Sequence, residues 1–422
     1  MEEKLFRRKL EDDVLKFLGR KEIIGIRGPR QTGKTTLLKM IQKEIPGTGN
    51  KAFINLDMLD YRKSLEENPL DFAKRFKKPG ERLFLFLDEI QKVKNAGESL
   101  KIIFDENPDV KMFVTGSSSL ELKTNVLPPL AGRIFLSELF TFDFEEFLST
   151  RDESLRRLFS EKNKSLRGFL EGNDDISPPS FNDEFTKHWK EYCVFGGYPE
   201  VVKSGSVDER TTILKNIFNI YIEKDIASFF RIEDSSKFGD AVRMLAFGIS
   251  NLLSVSSLAS DLKVSHIKAE EFLAALQHTY ITYLLKPFHR NLVTELKKSP
   301  KVYFLDLGLR NSVIGNFSPL DSRGDAGQIA ENFVLRELVT GFAGWKLNYW
   351  RTTGKAEVDF ILSRGKEVVP VEVKLSGNNM GRSFHSFLNS YEPERAIIAC
   401  RDKFMKQKVG KTTVYWVPIY YF

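Results

Sequence analysis

Residues 21–150 predict an α/β fold built on a parallel sheet. Short, continuous apolar runs recur along this segment, helical stretches fall between them, and the first run ends in a glycine-rich loop that opens a helix. Strands that are apolar throughout belong to a sheet covered on both faces. The candidate strands, in order, are EIIGIRG (22–28), KAFINLD (51–57), RLFLFLD (82–88), KMFVTG (111–116) and RIFLSEL (133–139). The helix after the glycine-rich loop is TTLLKMIQKEI, residues 35–45.

Beyond this segment the character changes. Residues 151–180 are charged, contain Gly, Ser and Pro, and read as a loop or insertion. Residues 181–230 read as helical, interrupted at Gly196, Gly197 and Pro199. SSLASDLKV (256–264), a turn at Ser265 and HIKAEEFLAALQHTYITYLLKPF (266–288) read as helix, turn, helix and strand. With KVYFLDLG (301–308) as a second strand, the middle segment is winged-helix-like. Its second helix carries Glu270 and Glu271, which repel phosphates, so DNA reading by that helix and a spacer role stay level. SPLDSRGDAG (318–327) reads as a linker. A compact α/β domain follows: a helix at 328–341, strands NYWRT, AEVDFILS and EVVPVEVK, a helix around 381–390, and the strand RAIIAC.

Composition limits the function classes. At roughly 150 residues per domain, 422 residues suggest about three domains. Apolar residues make up 41% and charged residues 29%, as in soluble globular proteins. Apolar runs such as Leu83–Leu87 fall far short of the roughly 20 residues that cross a bilayer. The N-terminus lacks a signal-peptide core, so a cytoplasmic protein with no membrane partner is expected. Cys193 and Cys400 stand alone, which excludes a disulfide scaffold and a cysteine-rich zinc site. The net charge of +7 tilts toward a polyanionic partner without identifying one.

Residues 28–35, GPRQTGKT, fit the phosphate-loop pattern in full, with a strand before and a helix after. Gly28 and Gly33 let backbone N–H groups curl around phosphate oxygens, Lys34 reaches the terminal phosphates, and Thr35 offers its hydroxyl to Mg²⁺. Pro29, Arg30, Gln31, Thr32 and Thr36 complete the loop and the start of the helix. RLFLFLDEIQ ends an apolar strand in Asp88, an expected Mg²⁺ partner, and Glu89, expected to activate the attacking water. VTGSSS offers a γ-phosphate sensor, Ser117 by choice, with Ser118 and Thr115 as alternatives. Arg133 in LAGRI is a candidate finger onto a neighbouring subunit, or a local structural anchor.

The C-terminal segment holds a second candidate site. Glu331 lies on its opening helix, Asp359 in EVDFIL, and Glu372 and Lys374 in VPVEVK. Alternate strand residues share a face, so Glu372 and Lys374 point the same way, and Asp359 meets them from the neighbouring strand. Carboxylates of this kind can hold Mg²⁺ or Mn²⁺ for phosphodiester hydrolysis, with Lys374 polarising the water. Around the expected wing, Lys286, Arg290, Lys297, Lys298 and Lys301 are candidate phosphate contacts.

GPRQTGKTTLL, LFLDEIQ, TGSSS with LAGR, FGGYPEVV (195–202), YIEKDI (221–226), ENFVLREL, EVDFIL and VPVEVK occur in this order. On these landmarks nearly the whole chain resembles a family of bacterial and archaeal ATPases. In that family an AAA+-like P-loop domain precedes a C-terminal domain of uncharacterised function related to PD-(D/E)XK nucleases. The resemblance implies ATP and Mg²⁺ as cofactors and a link to DNA processing or genome defence.

The expected fold is therefore an α/β P-loop NTPase with a parallel sheet, a helical lid, a winged-helix-like middle segment and a C-terminal restriction-endonuclease-like domain. The expected divisions are 1–145, 146–235, 236–320 and 321–422. The expected function is an ATP hydrolase coupled to DNA processing, with an endo- or exodeoxyribonuclease activity in the C-terminal domain, acting as a homo-oligomer. Two other readings stand beside it: an ATP-operated regulator whose C-terminal domain binds DNA or a protein partner without cutting, and an AAA+-type protein remodeller.

Overall fold

The computed structural model describes residues 5–46, 50–116, 125–172, 175–220, 235–288, 299–377 and 379–422. These form two compact units, residues 1–141 with 278–280, and residues 142–277 with 281–422.

The first unit is a parallel five-stranded sheet in the order β2-β3-β4-β1-β5. The strands are β1 (Ile23–Arg27), β2 (Lys51–Asn55), β3 (Leu83–Asp88), β4 (Val110–Gly116) and β5 (Ile134–Glu138). All the expected strands form. β4 is buried along its whole length and β3 along all but one residue, as strands covered on both faces must be. Helix α1 (Lys9–Leu15) and α2 (Lys34–Glu44) seal one face through Val14, Leu37, Leu38 and Ile41 against Ile24, Ile26, Phe86 and Phe113. Helices α3 (Leu59–Glu67), α4 (Pro69–Phe76) and α5 (Ala96–Glu106) contribute Leu65, Phe72, Leu100 and Ile103 to the core that includes Leu85, Leu87, Met112 and Val114. The strand order matters for the site: β4 lies between β1, which leads into the glycine-rich loop, and β3, which ends at Asp88.

The second unit opens with helices Phe144–Arg151 and Glu153–Leu170. Asp143 and Glu146 form a capping box that starts the first. The second corrects the expectation of a loop over 151–180: the Asp152 side chain caps its N-terminus, and Leu155, Phe159, Leu166, Phe169 and Leu170 supply a buried stripe. Helices Asn182–Phe195, Pro199–Lys203 and Val207–Ile220 follow, broken at the expected glycines and proline. The FGGYP turn packs on the LDLGLRN segment. The Gly197 N–H donates to Asp306 at 2.9 Å, and the Asn311 amide donates to the carbonyls of Cys193 and Val194. YIEKDI lies outside the described residues.

Helices Ser235–Phe247, Val255–Leu262 and His266–His278 precede an antiparallel pair, β6 (Thr282–Leu285) and β7 (Lys301–Phe304). On the exposed start of the third helix Lys268 pairs with Glu271 at 2.9 Å. The 318–327 segment is not a free linker. Its Arg323 is buried, and Asp325 takes ion pairs from both Arg323 (2.8 Å) and the buried Arg310 (2.5 Å).

Helix Ala326–Gly341 leads into a six-stranded sheet, ordered β12-β13-β11-β10-β9-β8. Its strands are β8 (Lys346–Arg351), β9 (Glu357–Arg364), β10 (Glu367–Lys374), β11 (Arg395–Cys400), β12 (Met405–Val409) and β13 (Thr412–Pro418), with helix Arg382–Tyr391 between β10 and β11. β8, β9 and β10 form an antiparallel meander, and β10, β11 and β13 run parallel. The β6–β7 hairpin is stitched to this sheet at β8. Phe288 donates to the Tyr349 carbonyl (2.5 Å), the Tyr349 N–H donates to the Lys286 carbonyl (3.1 Å), and the Tyr349 hydroxyl donates to the Ser299 carbonyl (2.5 Å). Among the described residues no helix is long and apolar enough to cross a membrane.

Candidate functional site

The glycine-rich loop runs from the end of β1 into α2. Gly28 passes so close to β5 that a Cβ there would lie 2.1 Å from the Leu139 carbonyl oxygen, so no larger residue fits. Gly33 caps α2 with φ of 89°, a left-handed conformation that glycine adopts without strain. No side chain caps this helix, which leaves its first N–H groups available to an anion. The Thr32 hydroxyl donates to the Pro29 carbonyl at 3.0 Å and tightens the loop. Arg8, which sequence reasoning missed, is buried and holds the loop from outside. Its guanidinium donates to the Thr32 carbonyl (2.8 Å) and the Phe140 carbonyl (2.7 Å). One arginine of the basic run Arg7-Arg8-Lys9, far from any motif, gave no signal in the sequence.

Lys34 is buried and turned back on the loop, donating to the carbonyls of Gly28 (3.0 Å) and Pro29 (2.6 Å). Burial lowers its pKa to about 8, opposed by the nearby charges of Glu89 and Asp88. The Thr35 hydroxyl donates to Asp88 Oδ2 at 2.7 Å, and the Thr115 hydroxyl on β4 donates to Asp88 Oδ1. Thr115 also accepts the Glu89 N–H at 3.2 Å. The interposed β4 thus ties the end of β3 to the site, and of the sensor candidates Thr115 is the one seen touching Asp88. Ser117 and Ser118 lie outside the described residues. Glu89 has φ of 61° and ψ of 45°, an uncommon conformation for a residue with a side chain, and its carboxylate accepts from the Gln91 amide. Arg133 lies just before β5, at the end of the sheet away from the loop, and pairs with Asp105 at 2.9 Å. Arg30, Gln31 and Thr36 sit within the loop and the first turn of α2, where the sequence put them; Gln31 has φ of 61°.

These residues suit a magnesium nucleotide. An open helix N-terminus and a buried lysine accommodate phosphate, while a threonine hydroxyl beside a strand-end carboxylate supplies hard oxygen donors.

The second cluster forms in the second unit. Val371 pairs with Phe360, so the next rung sets Glu372 opposite Asp359, as expected. Asp359 Oδ2 accepts the Val373 N–H at 2.8 Å. Glu331 joins from helix Ala326–Gly341. Lys374 turns aside and donates to the Asn379 carbonyl at 3.0 Å. Arg336 does not pair with Glu331; it bonds Glu337 and Thr340.

The expected cation of this cluster is a metal held by Glu331, Asp359 and Glu372. The structure puts a lysine beside two of these three, Glu331 and Asp359. Lys301 of β7 lies 2.5 Å from Glu357, 3.1 Å from Glu331 and 3.9 Å from Asp359. Tyr303, two residues along the same strand, donates to Glu331 at 2.5 Å. Lys301 is thus no exposed wing lysine for DNA phosphates, because its side chain is only 3% exposed. Lys286 remains exposed, and Arg290, Lys297 and Lys298 lie outside the described residues. Among the described residues no three His, Cys, Asp or Glu side chains are arranged to hold a metal.

Charge balance explains the titration of the cluster. Burial alone would lower the Lys301 pKa, but Glu331, Asp359 and Glu357 together raise it. The carboxylates outnumber the cations and crowd one another. Burial and Asp359 push Glu331 up to about 7, and burial also raises Asp359 and Glu372. Among the described residues the buried Glu372 Oε2 finds no hydrogen-bond partner.

Fold and first site define a P-loop nucleotide-binding domain. Residues 20–148 match the family described as AAA domain. Residues 186–320 and 326–422 match two families each described as a domain of unknown function, DUF8612 and DUF4143. An uncharacterised protein of Mycobacterium tuberculosis is 26% identical over 393 residues, spanning 90% of this chain and 77% of its own. An uncharacterised protein of Methanocaldococcus jannaschii is 25% identical over 310 residues, 72% of this chain and 64% of its own. Among solved structures, the ADP form of the Aeropyrum pernix ORC2 protein gives a TM-score of 0.35 at 13% identity, covering 67% of this chain and 88% of that one. AMPPCP-bound DnaA from Aquifex aeolicus gives 0.26 at 14% identity, covering 64% and 87%. Likeness at these scores does not bear on activity.

Proposed function

We propose that the chain is a magnesium-dependent ATP hydrolase whose turnover is coupled to the handling of DNA. The observation that carries the hydrolase reading is Asp88, held by the hydroxyls of Thr35 and Thr115 at the head of the glycine-rich loop, with Glu89 next in the chain. Magnesium, when bound, supplies charge neutralisation between the phosphates; Thr35 and Asp88 would hold it. Gly28 to Thr36 cradle the phosphates, Lys34 leaves the loop carbonyls to neutralise them, and Glu89 accepts a proton from the attacking water. Ser117, or Ser118 or Thr115 in its place, senses the terminal phosphate. Arg133, paired with Asp105, serves as a local anchor of its own domain, and a finger role on a neighbouring copy in a homo-oligomer would require it to leave that pair.

DNA would be engaged by the winged-helix-like segment, with Lys286 among its phosphate contacts, and by the C-terminal restriction-endonuclease-like domain. For that domain, binding without cleavage is favoured over a nuclease. Lys301 engages Glu331 and Asp359, two of the three carboxylates that a divalent metal would need, and no cleavage step is derived through them or through Lys374.

The test is ATP turnover by the whole chain, alone and with linear, flapped and four-way DNA, beside a cleavage assay in Mg²⁺ and Mn²⁺. Turnover that Glu89→Gln abolishes while ATP still binds, stimulated by DNA and without cleavage, supports the reading. Turnover unchanged in Glu89→Gln rejects the water-activating role. Stimulation by unfolded protein but by no DNA favours the remodeller. Cleavage that Asp359→Asn removes restores the nuclease.

A further inference from the structure

We infer that Lys301 is the resident cation of the C-terminal carboxylate cluster, and that it excludes divalent metal by filling the position where a metal would bind. Two features carry this. The ammonium is shared among Glu357, Glu331 and Asp359, and so takes up two of the three carboxylates, Glu331 and Asp359, that would otherwise coordinate a hard cation. Lys301 is also fixed in place. The next-but-one residue of β7, Tyr303, bonds Glu331, and Asn332 clamps Phe304 through both its N–H (2.9 Å) and its carbonyl (2.7 Å). Residues on either side of Lys301 are tied as well, with the Pro300 carbonyl accepting from Leu253 at 2.7 Å and the Val302 carbonyl accepting from Ser250 at 2.8 Å. The cluster still keeps a surplus of acid, which is what would draw a divalent cation once Lys301 is neutralised. Arg351 serves Glu357 at 2.6 Å, yet Glu372 retains a buried oxygen without a partner.

The consequence is a two-way choice. With Lys301 in place the carboxylates join the β6–β7 hairpin to the six-stranded sheet. With its charge removed, Glu331, Asp359 and Glu372, helped by Glu357, become an uncompensated group of hard oxygens that a divalent cation stabilises. This inference is independent of ATP hydrolysis and survives or fails without it.

The test is Mn²⁺ binding to the full chain without nucleotide, followed by electron paramagnetic resonance and by calorimetry. Four proteins are compared: wild type, Asp359→Asn, Lys301→Met and Lys301→Met with Asp359→Asn. Wild type and Asp359→Asn are expected to give superimposable titrations, since any Mn²⁺ at the glycine-rich loop is common to both. Lys301→Met is expected to gain about one further Mn²⁺ per chain, lost again in the double variant. Lys301→Arg, which keeps the charge, should gain none. A wild-type Mn²⁺ site that Asp359→Asn removes overturns the inference, whether or not Lys301→Met folds. So does a folded Lys301→Met that takes up no more Mn²⁺ than wild type.

Discussion

Lys34 and Lys301 are both buried lysines, and they sit in opposite electrical surroundings. Lys34 donates to the neutral carbonyls of Gly28 and Pro29, and burial lowers its pKa to about 8 despite the nearby charges of Glu89 and Asp88. Lys301 is enclosed by carboxylates, and their attraction outweighs its burial. The first is a cation held ready for an anion that has yet to arrive. The second has its anions already, supplied by the same chain. A lysine beside acids therefore has no single meaning; what separates a ligand site from a structural joint is whether its charge is already spoken for.

The largest expected effect tests the first half of this contrast. Lys34→Ala should lower ATP turnover by roughly 100- to 1,000-fold or more, because a preorganised charge aimed at the phosphates is lost. Its thermal midpoint should hardly fall, since only carbonyl contacts go with it. A variant that unfolds instead would make Lys34 a structural lysine. Lys301→Met should do the reverse. Leaving buried carboxylates uncompensated costs about 3–5 kcal/mol, read by urea denaturation of the second unit, with ATP turnover close to wild type. Equal stability would show that the carboxylates carry enough protons to do without Lys301.

Arg8→Ala probes how far preorganisation of the loop reaches. It removes two charge-assisted hydrogen bonds, each worth about 1.5–3 kcal/mol. It should raise the KM for ATP more than it lowers kcat, with Arg8→Lys recovering part of the loss. A loss confined to kcat would place Arg8 in the chemistry rather than under the loop.

The smallest expected effect is pH dependence. Without nucleotide Lys34 has a pKa of about 8, below its unfolded value, and phosphate should raise it. Nucleotide binding should therefore take up a proton near and above pH 8. Affinity should fall as pH rises through that value, by at most about tenfold per pH unit. The same depressed pKa disfavours the folded nucleotide-free protein below about 8, and that penalty fades as pH rises toward the unfolded value. Calorimetry in buffers of different ionisation enthalpy measures the uptake. The sharper form of the comparison is that Lys301→Met, with an intact loop, takes up the same fraction of a proton as wild type.

The first site was legible because its parts are local in the chain. GPRQTGKT fixes loop, lysine and threonine together, and an apolar strand ending in Asp88 and Glu89 is visible without a fold. Thr115 could be offered only as an alternative, because its role depends on β4 lying between β1 and β3. The second site was half legible. β9 and β10 set Asp359 and Glu372 on one face, but the cation arrives from β7, an element that sequence order assigns to another segment. Lys301 looked like a wing lysine because a basic stretch precedes it. The helix Glu153–Leu170 was missed because charged residues flank its apolar stripe. β12 was missed because MKQKV alternates as a half-exposed edge strand does, whereas β13, TTVYWVP, is an apolar run after Gly410 that the sequence did mark and that was overlooked.

The stitching of the β6–β7 hairpin onto the C-terminal sheet also determines what can be cut away. A fragment begun at Ala326 would contain every strand of the six-stranded sheet and all of the cluster's carboxylates. It would lack Lys301, Tyr303 and the backbone partners of Asn332 and Tyr349. Such a fragment is a sheet with its counter-charge amputated, and its solubility and metal uptake would describe the amputation rather than the protein. Dissection of this chain is informative only when it leaves residues 142–277 and 281–422 together as one cooperative piece.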